Sequence, residues 1–257
     1  MNTDTLVWLT VILGMRVALV AALQQLCTSS FARKRRIYDL PIGLKQAKRE
    51  RYAHAGGAAL DALALGAMIS TGLIDFVEPS LAEPAIFLAV HVLLVEPLYY
   101  AYHRALHTRY LFRKHHFLHH LSTVTQPSTS FTFTLAERVS YTALFALPIL
   151  AASHLGALSL TGLAVYLLVF DLVNSIGHFN FEFFPEGHTR NPLARFFYTP
   201  TFHARHHSKF NCNFSLFVPV FDHLFKTADP EEHVVFERAR SGRPLKSLGQ
   251  QGETDPP

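Results

Sequence analysis

Long apolar stretches separated by short polar segments dominate the first two thirds of the chain. Mostly apolar runs occupy residues 6–26, 55–77 and 85–102, with Arg16 and Asp61 as charged interruptions in the first two. Because a helix needs about 20 apolar residues to cross the hydrocarbon core of a bilayer, each run predicts one membrane-spanning helix. The first run lacks a basic start and a small-residue cleavage site, so we expect a retained helix rather than a removable signal peptide.

A fourth apolar run, residues 141–176, is too long for a single crossing. The break SHLG at residues 153–156 divides it and predicts a helical hairpin. The expected fold class is therefore all-α: an integral-membrane bundle of four to five apolar helices with a histidine-rich helical cap in the cytosol. Composition favours the same class, because the 257 residues are 49% hydrophobic and only 16% charged, below the roughly one quarter usual for soluble domains.

A strongly basic segment sets the expected orientation. Residues 32–52 carry eight Lys or Arg residues against Asp39 and Glu50, and loops with such an excess tend to stay in the cytoplasm. Counting crossings from there brings every histidine-rich block to the cytoplasmic side, close to the membrane surface. We predict a multi-pass protein whose histidine-rich blocks face the cytoplasm. Among membranes, a bacterial inner membrane is favoured over the endoplasmic reticulum.

The chain divides by composition into three regions. Residues 1–84 hold the first membrane helices and the basic segment, and residues 85–228 hold the histidine-rich blocks. Residues 229–257 are polar and lack apolar periodicity, so we expect a disordered tail. Residues 127–134 (PSTSFTFT) are expected to form a loop or short strand without chemistry of their own.

Three histidine blocks carry the candidate chemistry. They are His103 and His107; His116, His119 and His120; and His203, His206 and His207. Residues three or four positions apart share a helical face, so each block is expected to direct its rings at one point. Protonated rings would repel one another and buried neutral rings would be unsatisfied, and a metal ion resolves both problems by taking the lone pair. Thr199 and Pro200 predict the start of the helix that carries the third block.

The number of histidines narrows the class of site. Eight imidazoles exceed the ligands of one zinc ion and suffice for two metals with open positions, which next to a membrane indicates redox chemistry on oxygen. Cys27 and Cys212 form no CxxC pair, no HExxH motif occurs, and haem ligation would leave most histidines unused. The sequence has no nucleotide fingerprint, and we expect no nucleic-acid partner.

The motifs HRALH, HHFLHH and HARHH follow the order HxxxH, HxxHH, HxxHH. In this the chain resembles the fatty acid hydroxylase / sterol desaturase superfamily of integral-membrane diiron enzymes, from about residue 90 to residue 227. HRALH and STVTQPSTS also resemble the N-terminal half of plant wax fatty aldehyde decarbonylases, which carry a further C-terminal domain. The resemblance implies that residues 85–228 form a diiron catalytic domain with two iron ions as cofactors and O2 as co-substrate.

The resemblance also extends the ligand set. It adds His178, at the end of the fifth apolar helix, to the block histidines. Some relatives place another histidine four residues earlier, where this chain has Asn174, an expected weak or water-mediated ligand. The nine expected iron ligands are His103, His107, His116, His119, His120, His178, His203, His206 and His207.

Three acids are candidates to orient these ligands by accepting their second N–H group. They are Glu96, Asp171 and Asp222. The first two lie seven residues before an expected ligand and share its helical face. The alternative for these acids is a salt bridge with a nearby arginine such as Arg104, and Glu137 is expected to be structural.

The leading hypothesis is an oxygenase that hydroxylates or desaturates a C–H bond of a fatty acyl chain, sterol or related lipid. Oxidative deformylation of a fatty aldehyde to an alkane is the alternative within the same chemistry. A zinc-dependent membrane hydrolase, a metal transporter and an inactive scaffold are alternatives of other classes.

The lipid would reach the metals from the bilayer. A separate reductase, cytochrome or ferredoxin-type donor is implied, because the sequence shows no haem-binding domain, iron–sulfur cysteines or flavin fold.

Overall fold

The computed structural model describes residues 3–250, and apart from two isolated β-bridges its regular structure is helical. The helices are α1 (Thr3–Leu26), α2 (Ser30–Arg33), α3 (Leu44–Ser70), α4 (Ala82–Val90), α5 (Glu96–Leu106), α6 (Arg109–Leu111), α7 (Phe117–His120), α8 (Leu135–Phe145), α9 (Leu147–His154), α10 (Leu160–Gly177), α11 (Pro200–Lys209), α12 (Val220–Leu224) and α13 (Glu232–Arg240). The π-helical turns His91–Val95 and Phe112–His116 join α4 to α5 and α6 to α7.

Five helical segments are long and apolar enough to cross a membrane, which confirms the expected all-α multi-pass bundle. They are Leu6–Leu26, Leu44–Ser70, Ala82–Leu106, Leu135–His154 and Leu160–Gly177. The second begins earlier than the expected residues 55–77, because the Lys, Arg, Gln and Glu residues that follow Leu44 are strong helix formers. The hairpin is confirmed, since α9 ends at His154 and α10 begins at Leu160.

Charged residues inside the spans pair with one another across helices. Arg16 of α1 forms salt bridges to Asp171 of α10 at 2.6 Å and to Asp61 of α3 at 3.0 Å. Arg138 of α8 reaches the other oxygen of Asp61 at 2.6 Å. An isolated charge in a membrane interior is costly, so these pairs hold the four helices in one arrangement.

The expectation of a disordered tail is wrong for residues 229–250. Helix α13 forms there and buries Val235 and Phe236, because apolar residues recur on one face of it. Leu245 is also fully buried, and its N–H donates to the carbonyl of Ile37 at 2.8 Å. The remaining residues of the expected tail, 251–257, lie outside the described residues.

The histidine-rich cap contains two short elements that matter for the site. Helix α11 begins as predicted, with Pro200 in its first position and the Thr199 hydroxyl accepting the N–H of Phe202 at 3.0 Å. The segment expected to be a loop or strand forms a 3₁₀ helix, Pro127–Phe131, whose serine and threonine side chains are largely buried.

Candidate metal centre

Four separate segments bring the nine predicted ligands together in the cap. The first block ends α5, the second lies on residues 112–120, His178 directly follows α10, and the third block lies on α11. The nine form two groups, and within each group one ring nitrogen per residue lies within 4.8 Å of the others. The five-histidine group is His103, His107, His116, His120 and His206, and the four-histidine group is His119, His178, His203 and His207.

The expectation that each block directs its rings at one point is wrong for the second and third blocks. His116 and His120 join the five-histidine group, whereas His119 joins the four-histidine group. The third block divides in the same way, with His206 separated from its neighbours. Residues four apart lie about 40° apart around a helix and consecutive residues about 100°, so each i, i+4 pair stays together and the third ring faces elsewhere.

Backbone carbonyls hold several rings through their Nδ1–H groups. The pairs are His103 with Phe214 at 2.8 Å, His206 with Cys212 at 2.7 Å, His178 with Asn174 at 2.8 Å and His119 with Thr132 at 3.3 Å. A neutral ring that donates from Nδ1 keeps its lone pair on Nε2. These carbonyls therefore fix the tautomer that a metal requires at the inward-facing nitrogen.

Ring nitrogens face one another inside both groups at distances that a shared cation explains. The Nε2 atoms of His103 and His116 are 3.1 Å apart in the five-histidine group, and those of His178 and His203 are 3.0 Å apart in the four-histidine group. Within the described chain, Nε2 of His206 is buried without a hydrogen-bond partner. Neutral imidazoles bind iron, zinc, copper and nickel, so the donor set fits two transition-metal ions.

Burial keeps the rings neutral. It lowers the pKa of His178 to about 4. Burial, together with the repulsion from a protonated His103 nearby, lowers the pKa of His107 to about 2. For the histidines of the second and third blocks, burial lowers the pKa well below the ordinary value of 6.5. At neutral pH the rings therefore offer lone pairs rather than protons to a metal.

One carboxylate contacts a predicted ligand directly, and it is an acid that we expected to be structural. The Nδ1–H group of His116 donates to Oε1 of Glu137 at 2.5 Å, with both side chains buried. Glu137 lies in the first turn of α8, where Thr134 caps the helix by accepting its N–H. The pattern Thr-x-x-Glu is a helix-start signal in the sequence, but it does not reveal which histidine lies beneath that turn.

Two of the acids expected to orient ligands contact other groups. Asp171 pairs with Arg16 instead of a histidine, because the Arg16 guanidinium on α1 lies opposite it between the helices. The salt-bridge alternative thus applies to Asp171, although its partner is not Arg104. Glu96 accepts the backbone N–H of Phe217 at 3.1 Å and holds that segment against α5.

The third expected acid, Asp222, supports the His103 ring indirectly, through the backbone. Its carboxylate accepts the N–H groups of Phe214 at 2.8 Å and Ser215 at 2.7 Å, and the hydroxyl of Thr227 at 2.6 Å. The carbonyl of the same Phe214 accepts the Nδ1–H of His103. Asp222 therefore fixes the loop that holds the ring and does not touch the ring itself.

A cavity lies between the membrane helices, and two of its lining residues contact the four-histidine group. Phe133 lines it and stacks on the His119 ring, with 5.0 Å between ring centroids. Asn174 also lines the cavity, belongs to neither histidine group, and accepts the Nδ1–H of His178 through its backbone carbonyl. Farther along, Phe145 and Phe170 make the wall aromatic.

Five potential spans and two histidine groups that suit metal binding are typical of a multi-pass membrane protein with a histidine-rich cap. The chain belongs to the fatty acid hydroxylase family, whose profile matches residues 88–227. This confirms the resemblance inferred from the histidine motifs. A search of solved structures gave no significant match.

Curated relatives come from plants. Protein CER1-like 1 of Arabidopsis thaliana is 39% identical over 207 residues, which cover 79% of this chain and 33% of that protein. Very-long-chain aldehyde decarbonylase GL1-4 of Oryza sativa subsp. indica is 43% identical over 155 residues, or 60% of this chain and 25% of that protein. The likeness to wax aldehyde decarbonylases is confirmed, and the chain spans a third or less of the length of these two relatives.

Proposed function

We propose that the chain is a membrane oxygenase that uses two histidine-bound iron ions and O2 to hydroxylate or desaturate a lipid. The observation that carries the proposal is the gathering of nine histidines into two groups within a multi-pass member of the fatty acid hydroxylase family. Iron held there would supply the O2 activation that attack on an unreactive C–H bond requires. Residues 85–228 would form the catalytic unit, on the cytoplasmic side of a membrane that we take to be a bacterial inner membrane.

The protein's own side chains would bind and orient the lipid. The cavity beside the four-histidine group would receive an acyl chain from the bilayer, since aromatic and aliphatic residues form most of its wall. Phe133, at the end nearest His119, would hold the chain close to the metal and exclude water from it. Electrons would come from a separate reductase, cytochrome or ferredoxin-type donor that approaches from the cytoplasm.

Two single variants test the proposal. His119→Ala removes a ring of the four-histidine group, whereas His115→Ala removes a ring next to the same block that belongs to neither group. Wild type and His115→Ala should bind two iron ions per chain and incorporate labelled oxygen or a new double bond into lipid. His119→Ala should lose iron and product. Zinc alone in protein from iron-replete cells would favour a hydrolase instead.

A second candidate rests on the relatives. Several are named very-long-chain aldehyde decarbonylases, and oxidative deformylation of a fatty aldehyde would need the same metals, oxygen and cavity. Lipid extracts of expressing cells separate the two reactions. Hydroxylated or desaturated lipid supports the first candidate, and a hydrocarbon one carbon shorter than the supplied aldehyde supports the second.

A further inference from the structure

A carboxylate outside both histidine groups is the centre of an unusually dense set of hydrogen bonds. Glu50 of α3 is fully buried. Five neutral side chains donate to its two oxygens: Gln46 at 2.8 Å, Ser122 at 2.6 Å, Thr129 at 2.9 Å, Ser128 at 3.0 Å and Gln126. Four of these donors come from one short stretch of chain, residues 122–129.

Hydrogen bonds replace a counter-ion at this acid. Among the described residues Glu50 forms no ion pair, and neighbouring Arg49 donates to Ser122 at 2.9 Å instead. A buried charge is expensive unless it is fully hydrogen-bonded, and bonds to a charged acceptor are stronger than neutral ones. The stretch that supplies the donors is therefore held firmly to α3.

That stretch connects the second histidine block to the carbonyl that orients one of its members. Ser122 lies two residues after the block, and its N–H donates to the carbonyl of His119 at 3.2 Å. At the other end, the 3₁₀ helix Pro127–Phe131 leads directly into Thr132, whose carbonyl accepts the Nδ1–H of His119. Glu50 thus fixes both sides of the loop that encloses this ring.

We infer that Glu50 is a positioning residue that sets the orientation of His119 and thereby completes the four-histidine group. It acts from a membrane helix through the loop and touches neither a ring nor the cavity. The inference rests on the proposed metal ligation, but its test needs no lipid product.

The variant Glu50→Gln replaces one acceptor oxygen by an amide that points its own hydrogens at donors. Glu83→Gln is the matched control, because Glu83 is also buried and is also satisfied by neutral donors, the N–H and hydroxyl of Ser159, both at 2.7 Å. Ser159 caps the start of α10 and His178 follows its end, 19 residues later. At 1.5 Å per residue, the Ser159 partner of the control residue lies about 28 Å along the helix from His178.

The measurement is titration of the purified full chain in detergent with Co²⁺, followed by visible absorption. The two groups offer four and five imidazoles, so Co²⁺ bound at each has its own visible spectrum and the two groups are distinguishable. Wild type and Glu83→Gln should bind two Co²⁺ ions. Glu50→Gln should retain the five-histidine site and weaken the four-histidine site by about 10–100-fold, the usual cost of losing support behind a ligand histidine.

Several outcomes would overturn the inference. The first is a Glu50→Gln titration that matches wild type at both sites. The second is an equal loss of Co²⁺ affinity in Glu50→Gln and Glu83→Gln, and the third is an equal loss of affinity at both sites of Glu50→Gln. If Glu50→Gln does not fold, Glu50→Asp decides by the same criteria, because it keeps the charge but shortens its reach. If the wild type binds neither Co²⁺ nor iron, the proposed function and this inference are both refuted. If the wild type binds two ions but the variants do not show the expected selective loss, only the inference is refuted.

Discussion

For five of the nine rings, a hydrogen bond on the side away from the group sets the direction of the ring. Backbone carbonyls do this for His103, His119, His178 and His206, and a carboxylate does it for His116. A carbonyl fixes the tautomer, and a carboxylate in addition strengthens the ring as a donor to metal. The five-histidine group thus contains one predicted ligand, His116, whose ring is electronically different from the others.

Loss of that carboxylate should weaken the five-histidine site selectively. Glu137→Gln keeps an acceptor for His116 but removes the charge, so we expect about 10–100-fold weaker metal binding at that site and little change at the other. Glu96→Gln is the control, since Glu96 accepts from the Phe217 backbone and lies 3.7 Å from His91, a histidine that belongs to neither group. Metal titration of both variants checks this, and equal effects would contradict it.

Protonation of the same rings should destabilise the metal-free protein. Unfolded imidazoles take up protons near pH 6.5, whereas burial lowers the folded pKa of His178 to about 4. Below pH 6.5 the unfolded state therefore binds more protons, and stability present at neutral pH is lost as the pH falls towards the folded value. Thermal unfolding in chelator and detergent should show a falling midpoint on acidification. His178→Gln should make that dependence shallower, and an unchanged slope would count against this account.

At the scale of elements, charged residues fix how the spanning helices meet. Arg16 was visible in the sequence as an interruption of the first apolar run, and Asp61 as an interruption of the second. Their pairing with each other and with Asp171 was not predictable, because the partners lie on helices far apart in sequence and the contact depends on how α1, α3 and α10 pack.

Removal of the cation should disturb this packing strongly. Arg16→Met leaves the buried Asp171 without its ion-pair partner and leaves the half-buried Asp61 with Arg138 alone, and breaking a buried pair costs about 3–5 kcal/mol. The double variant Arg16→Met/Asp171→Asn should recover part of the loss. Arg36→Met is the control, because its pair with Asp39 is exposed and such pairs contribute about 1 kcal/mol or less. Unfolding in mixed micelles measures all three, and equal losses in the two single variants would disprove the argument.

Sequence periodicity predicts the helices and the histidine blocks better than the contacts around them. The i, i+4 spacing identified the histidine blocks, and the Thr199–Pro200 pair identified the start of α11. In the sequence, Glu50 is only one acid within a basic segment. Its contacts could not be predicted, because four of its donors lie 72–79 residues away along the chain. Helix α13 was likewise not predicted, because charged residues surround the few apolar residues that this helix buries.

At the scale of the whole molecule, the cavity between the membrane helices adjoins residues that contact the four-histidine group. Phe133 and Asn174 line it and contact His119 and His178 of the four-histidine group. On the other side, Phe210 contacts His120 of the five-histidine group and is partly exposed at the surface. The two groups thus have different surroundings, one next to the cavity and one nearer solvent.

A bulky side chain in the cavity should change lipid use without changing metal binding. Ala146 lines the cavity, so Ala146→Phe should lower turnover of long-chain lipids by about tenfold or more, the scale on which pocket shape discriminates substrates. Val139→Phe is the control on the same helix, since Val139 is 56% exposed. Product analysis with lipids of graded length, alongside metal content, checks this. Equal turnover of long and short chains by Ala146→Phe would argue for another entry route.

The distribution of the ligands along the chain also has a consequence for biosynthesis. A nascent chain that has inserted its first three spans already carries His103 to His120, yet neither group is complete until α11 has been synthesised and has folded against the others. Metal would then be acquired after membrane insertion is finished. Prematurely terminated chains that lack α11 would remain without their full complement of metal, and bound metal would distinguish finished molecules from unfinished ones.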